Sequence, residues 1–374
     1  MKHLSTSYKQ QKPTGQFDVI VIGSGIGGLT TAAFLAKEKK KVLVLERHYA
    51  PGGFTHVFKR NKYEWDVGVH YIGEAHREHT EVSKMFRYIT DGKLKFEEMG
   101  EVYDRMYFGS KTYDFVKGPD EFKAQMKTYF PNEAKAIDAY VELIYETQKS
   151  QRLFFAEKML PPFWSKLFGK LLRRKALKAN RTTYEVLSEL TSNQELIAVL
   201  TGQFGDYGLA PHRSSFMMHA VLAKHYMKGA CYPIGGSEQF FQTIAPTIMA
   251  AGGEIYTNAE VKEVIVENNQ AVGVTMFDGT QLFAPVVVSD AGIYTTYKTL
   301  LPQKQKQDMQ VDKFLNTLKP SIGHVCLYIG IDEPNAQLKL GKTNYWVFPD
   351  NYNHDKNIEI YTHNPEAEFP VVYI

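Results

Sequence analysis

Three glycines, Gly23, Gly25 and Gly28, stand in the spacing G-x-G-x-x-G at the end of the apolar run DVIVI. Such a spacing serves the holding of a dinucleotide. The first glycine turns the chain tightly, the second lets main chain approach a pyrophosphate, and the third lets a helix pack close to the strand before it. The phosphates then lie at a helix N-terminus, where free amides and the helix dipole favour an anion. Glu46 ends a second apolar run, KVLVL, at about the twenty-residue offset expected of the acid that accepts from ribose hydroxyls. A carboxylate there repels a phosphate, which disfavours NADP at this site. Arg47 follows, and Gly52 and Gly53 close the loop RHYAPGG. An arginine offers a pyrophosphate a planar fork of donors, and paired glycines let main chain pass close to a flat ring.

These residues need elements to place them. Asp18 to Ile22 reads as a buried parallel strand, Leu29 to Lys37 as a helix, and Lys41 to Leu45 as the next strand. Further on, YPIGGSEQFF (Tyr232 to Phe241) leads into a helical run through Met249 that Gly252 and Gly253 stop, so Gly235 and Gly236 sit at another helix start. Three β-type runs come next, Val261 to Glu267, Ala271 to Phe277 and Gln281 to Ala284, broken by NNQ and DGT. That is hairpin chemistry, and it predicts an antiparallel meander. The unbroken apolar run in PVVVSDAG, Pro285 to Gly292, suits a return to a buried parallel sheet.

The expected fold class is therefore α/β. A Rossmann-like dinucleotide-binding domain with a β-meander is assembled from residues 17–73 and 232–300, and a helix-rich α+β substrate domain takes residues 74–231 and 301–374. Within the insertion, Thr182 and Glu185 have capping-box spacing, and Ser214 to Tyr226 reads as a helix.

The bulk numbers bound the partners. A chain of 374 residues with 44% hydrophobic residues can fill two cores, and a net charge of +3 gives no reason to expect a nucleic acid. Cys231 and Cys326 cannot build a disulfide framework, and the opening MKHLSTSYKQQKPTGQ lacks the layout of a secretory signal, so an intracellular protein is expected. No run approaches the roughly twenty apolar residues of a spanning helix. Residues 160–178 are different in kind. Leu160, Trp164, Leu167, Phe168, Leu171 and Leu172 share one helical side, with Lys166, Lys170, Arg173 and Arg174 mostly on the other. Such a helix lies either in a membrane surface or with its apolar face on the protein core.

The segments FDVIVIGSGIGGLTTAAFLAKEKKKVLVLERHYAPGGFTH, DVGVHYIG, KGACYPIGGSEQFF, PVVVSDAGIYTTYKTLLP and TNYWVF, with the run from Tyr207 to Tyr226, extend from Phe17 to near the C-terminus. Over that span the chain resembles the FAD-dependent family of retinol saturases, carotenoid isomerases and phytoene desaturases. Its E-R-x-x-x-x-G-G loop is shared with the amine oxidases. The resemblance implies non-covalent FAD on Gly23, Gly25, Gly28, Glu46, Arg47, Gly52, Gly53, Gly235, Gly236 and Val261, with NAD(P)H as a candidate external electron donor. It also implies an apolar retinoid or carotenoid entering from a membrane, and, in the saturase branch, addition of two hydrogens across one carbon–carbon double bond. Isomerisation, desaturation and amine oxidation are the alternatives within the superfamily, and a non-catalytic lipid carrier akin to the Rab GDP-dissociation inhibitors is the alternative from another class. Candidate proton donors are His70 and Tyr71 in GVHYIG, and His225 and Tyr226 in AKHYMKG; each also reads as a packed core group. His76 and His79 beside Glu74 and Glu78 lie in a highly polar segment, and no metal is expected. Relatives of this kind continue past FPVVYI into a further glycine-containing segment that completes the flavin ring pocket.

Overall fold

Short apolar strands stack side by side to form the central sheet of the computed structural model, which describes residues 4–69, 71–159, 161, 181–333, 337 and 341–374. Five strands run parallel in the order Thr6–Ser7, Glu254–Thr257, Val42–Leu45, Val19–Ile22 and Val286–Ser289. Side chains alternate across the sheet. Val19, Val21, Val42 and Val44 face a helical layer, where they meet Leu29, Ala32 and Ala33 of helix Ile26–Lys37 and Ile244 and Ile248 of helix Gln239–Ala250. Ile20, Ile22, Leu43 and Leu45 face the other way, onto Val261, Val264, Val274 and Met276 of the meander. Because both faces are covered, the two central strands carry no polar position at all.

The meander joins Val261–Glu267, Gln270–Met276 and Gln281–Phe283 antiparallel, and Val286–Ser289 then returns to pair with Val19–Ile22. The first helix begins at Ile26 rather than Leu29, so Gly27 and Gly28 belong to its opening turn. Thr182 and Glu185 form a reciprocal capping box ahead of helix Thr183–Leu190, and Ser215 caps helix Phe216–Tyr226.

Residues outside this unit are richer in strand than their helical periodicity predicts. Val372–Tyr373, Asn344–Phe348, Val102–Phe108 and Lys111–Val116 form a mixed sheet whose Tyr103, Met106, Phe108 and Trp346 enter a second core. A smaller sheet sets Ala230–Pro233 between Ile72–Gly73 and Phe96–Glu98. Its central strand delivers the chain directly into the Gly235–Gly236 turn. The amphipathic stretch 160–178 lies outside the described residues, and so does His70. No helix among the described residues is long and apolar enough to cross a membrane.

Candidate functional site

The glycine turn is built by close approach. Gly23 has φ +97° and donates its N–H to the Leu45 carbonyl at 2.8 Å, which ties the ends of the two central strands together. A Cβ at Gly28 would stand 2.2 Å from the Gly23 carbonyl oxygen, so only glycine lets the helix sit this close. Ser24 is buried, and its N–H and Oγ–H both donate to Glu46 Oε2, at 2.8 and 2.7 Å. The His48 N–H donates to Glu46 Oε1 at 2.8 Å. A carboxylate has about four acceptor positions, so these three bonds fix the Glu46 side chain and leave Oε1 able to accept once more.

The second loop lies on the first. Gly52 N–H donates to the Ser24 carbonyl at 3.1 Å, and a Cβ at Gly53 would come within 2.9 Å of the Gly25 Cα. Ile26 and Gly27 are exposed at the helix start, where their amides precede any intrahelical acceptor. Asp290, at the end of the returning strand, accepts from the Gly28 N–H at 2.8 Å and packs against Gly25 and Gly27. Exposed amides, a spare acceptor on a fixed acid and a cradle that side chains would fill together fit a dinucleotide.

Gly235 and Gly236 adopt φ +92° and +88°, and Asp66 holds the turn they make. Its Oδ1 accepts from Ser237 N–H at 3.0 Å and Ser237 Oγ–H at 2.6 Å, and its other oxygen accepts from the Tyr232 hydroxyl. A pocket of about 400 Å³ is lined by Ala50, Pro51, Thr55 and His56 of the second loop and by Glu238 and Gln242 at the start of the helix that follows.

From Asp66 the chain runs on to Tyr71, which is buried beneath a second set of polar groups. The Tyr71 ring stacks on Tyr226, centroids 4.3 Å apart and planes inclined by 28°. Its hydroxyl donates to Asp104 Oδ2 at 2.8 Å. Gln203 Nε2 donates to the same oxygen at 2.6 Å, and Asn344 Nδ2 to the other at 3.1 Å. Burial pushes the Asp104 carboxyl up to about 6 against the pull of those donors. Asp206, hydrogen-bonded to Tyr71, is raised well above the ordinary range by burial and then by Asp104 itself. Burial likewise raises the Tyr71 and Tyr226 hydroxyls. His225 accepts the Gly73 N–H on Nε2 at 2.7 Å, and burial lowers it to about 4, so the neutral ring is the form held at neutral pH.

Residues 21–89 match the NAD(P)-binding Rossmann-like domain family. The chain is 35% identical over 373 residues to the all-trans-retinol 13,14-reductase of Danio rerio, covering 96% of this chain and 61% of the relative. Against the all-trans-retinol 13,14-reductase of Homo sapiens it is 36% identical over 382 residues, 98% of this chain and 62% of the relative. Over nearly its whole length the chain is thus similar to all-trans-retinol 13,14-reductases. It spans about three-fifths of the length of these curated relatives. The chloroplastic prolycopene isomerase of Daucus carota is a more distant relative, 26% identical over 312 residues, 78% of this chain and 48% of that one. Among solved structures, an oxidoreductase from Methanosarcina mazei shares the fold with a TM-score of 0.60 at 19% identity, over 81% of this chain and 65% of the other.

Gly23, Gly25, Gly28, Glu46, Gly52 and Gly53 converge on one site, with the exposed Arg47 beside them. Gly235 and Gly236 precede the helix whose first turn lines the pocket. Val261 is buried in the layer under Leu45 and Tyr256. Tyr71 and Tyr226 are in contact, whereas His225 is engaged by backbone. His76 comes within 3.9 Å of Glu98, but no metal-type group of three ligands occurs among the described residues. Sequence reasoning missed Ser24, Asp66, Asp104, Gln203, Asp206 and Asp290. Two carried a signal. Asp104 is an acid at a core position of the strand VYDRMYF, and Asp290 is an acid directly after the run VVVS.

Proposed function

We propose that this chain holds FAD non-covalently and acts as an oxidoreductase on a carbon–carbon double bond of an apolar polyene, a retinoid or carotenoid. Reduction of all-trans-retinol is the leading reaction. The observation that carries the reading is the 35% identity to the Danio rerio reductase over 96% of this chain. Residues 17–73 and 232–300 would form the cofactor domain, and 74–231 with 301–374 the substrate domain.

Glu46 would accept from the adenosine ribose through the free position on Oε1, and the Ile26 and Gly27 amides would meet the pyrophosphate. Arg47 would offset the phosphate charge, and Gly53, Gly235 and Gly236 would let main chain lie close to the bound group. FAD, when bound, supplies the hydride chemistry, with NAD(P)H as the external donor. The protein's part is to place the polyene, exclude water and hold a proton on Tyr71 or Tyr226. Residues 160–178, with Trp164 and Phe168 on the apolar side, would rest on a membrane surface from which such a substrate is drawn.

The test starts from the purified chain, FAD and a visible spectrum, followed by anaerobic incubation with all-trans-retinol and a reductant. A bound-flavin spectrum and a product heavier by two hydrogens are expected. A product of unchanged mass and altered geometry would instead support isomerisation, as the name of the Daucus carota relative suggests. A colourless chain that leaves retinol unchanged would overturn the proposal.

A further inference from the structure

The hairpin of Val57–Arg60 and Tyr63–Asp66 carries an aromatic surface, on which Trp65 stacks with Phe58 at 5.4 Å and with Tyr63 at 5.6 Å between ring centroids. Residues 323–331, GHVCLYIGI, are laid along it. The Tyr328 hydroxyl donates to the Val67 carbonyl at 2.9 Å, Trp65 Nε1 donates to the Ile329 carbonyl at 3.1 Å, and a Cβ at Gly330 would come 3.0 Å from the Tyr63 ring. Just beyond, Asp332 pairs with Lys62. Alternate positions are open to solvent instead: Val325, Leu327, Ile329 and Ile331 are 95%, 83%, 64% and 50% exposed, in the period of two that a strand shows. Among the described residues, no main-chain amide or carbonyl of 323–331 bonds to another main-chain group. An apolar stripe beside a free row of donors and acceptors is a template for a further strand.

The run supplies its own match. Antiparallel pairing of two copies about a two-fold axis at Tyr328 sets Val325 against Ile331 and Leu327 against Ile329, so every apolar side chain of the stripe meets another. The same register sets His324 against Asp332, of which Lys62 engages only Oδ1. Neighbouring registers lose this agreement. An axis at Leu327 would set Ile331 against Gly323, and an axis at Ile329 would set Val325 against Glu333. A slip of one residue between the strands would turn the two stripes to opposite faces.

We propose that residues 324–332 pair with the same residues of a second copy of this chain, as antiparallel strands of a two-fold dimer centred on Tyr328. The pairing goes beyond the polyene reading and does not depend on it.

Sedimentation velocity on the purified chain, across a range of concentrations, measures the association. A discrete dimer is expected, and Leu327→Lys should raise its dissociation constant about 100-fold, because symmetry brings the lysine into the interface twice. Leu327 is exposed in the single chain, so the variant should keep the far-ultraviolet circular dichroism of the unaltered protein. Phe283→Lys, at a position 56% exposed on the meander, should leave the dimer unchanged. Oxidative cross-linking in a Cys326→Ser background reads the register. Chains carrying Leu327→Cys, mixed with chains carrying Ile329→Cys, should form a disulfide-linked dimer in higher yield than either forms alone. A monomer at about 100 μM, a dimer indifferent to Leu327→Lys, or equal cross-linking in mixed and unmixed samples would overturn the proposal.

Discussion

The central packing claim is tested most sharply at Gly28. An alanine there would place its Cβ 2.2 Å from the Gly23 carbonyl oxygen, a backbone atom fixed at the end of a buried strand. Relief requires helix Ile26–Lys37 to retreat by about 1 Å, which parts Leu29, Ala32 and Ala33 from Val19, Val21, Val42 and Val44 and strains the Gly28 bond to Asp290. Overpacking of a well-filled core costs about 1–3 kcal/mol, and the backbone obstacle puts Gly28→Ala at the top of that range. A loss of about 3 kcal/mol is on the order of a 100-fold change in the folding equilibrium. Gly323→Ala is the matched control, because nothing lies within 4 Å of its added carbon, and it should stay within about 0.5 kcal/mol of the unaltered chain. Urea unfolding followed by far-ultraviolet circular dichroism reads both at constant slope. Equal midpoints for the two variants would refute the close-packing reasoning.

Other consequences follow from burial and charge. His219, His225 and His354 are each lowered to about 4 by burial, so the unfolded chain takes up their protons first as pH falls below 6.5. Stability is therefore lost between about pH 6.5 and 4, and His354→Gln should lessen the drop measured between pH 7.5 and pH 5 by about 2 kcal/mol. Asp104 acts in the opposite sense. Its carboxyl is raised to about 6, so the folded chain keeps a proton the unfolded chain has released, and stability falls as pH rises from about 4 to 6. Denaturation of Asp104→Asn across that window should lack this fall, on the order of 3 kcal/mol. Lys224 and Glu74 form a largely buried ion pair at 2.6 Å, and Lys224→Met should cost about 3 kcal/mol in the same unfolding assay by stranding Glu74. Thr182→Ala removes the side-chain half of a capping box and should cost about 1 kcal/mol.

The nucleotide unit could be read from the sequence because each of its signals is local. A strand of apolar residues, spaced glycines and a terminal acid lie within Asp18–Glu46, and the meander announces itself by turn residues between alternating runs. The Tyr71 cluster could not be read in the same way. Its members come from strand Val102–Phe108, the turn at Gly202–Asp206, helix Phe216–Tyr226 and strand Asn344–Phe348, and only folding brings them together. Asp104 stands out within VYDRMYF only once Met106 and Phe108 are known to share its core-facing side of the strand. The mixed sheet was hidden for a related reason. Asn344–Phe348 pairs in parallel with Val102–Phe108, and no hairpin turn marks so distant a partnership. His225 attracted attention as a proton donor because of its type, but its acceptor nitrogen faces the Gly73 amide, a contact between residues 152 positions apart.

The account depends most on Glu46 gripping the sugar of a dinucleotide laid over the first glycine turn. Titration of FAD into the unaltered chain and into Glu46→Gln, followed by quenching of flavin fluorescence, tests this directly. The account predicts one FAD per chain, bound about 10- to 100-fold more weakly by the variant, as expected for removal of the charge from one charge-assisted hydrogen bond. Equal affinity in the two proteins, or no binding by either, would contradict it.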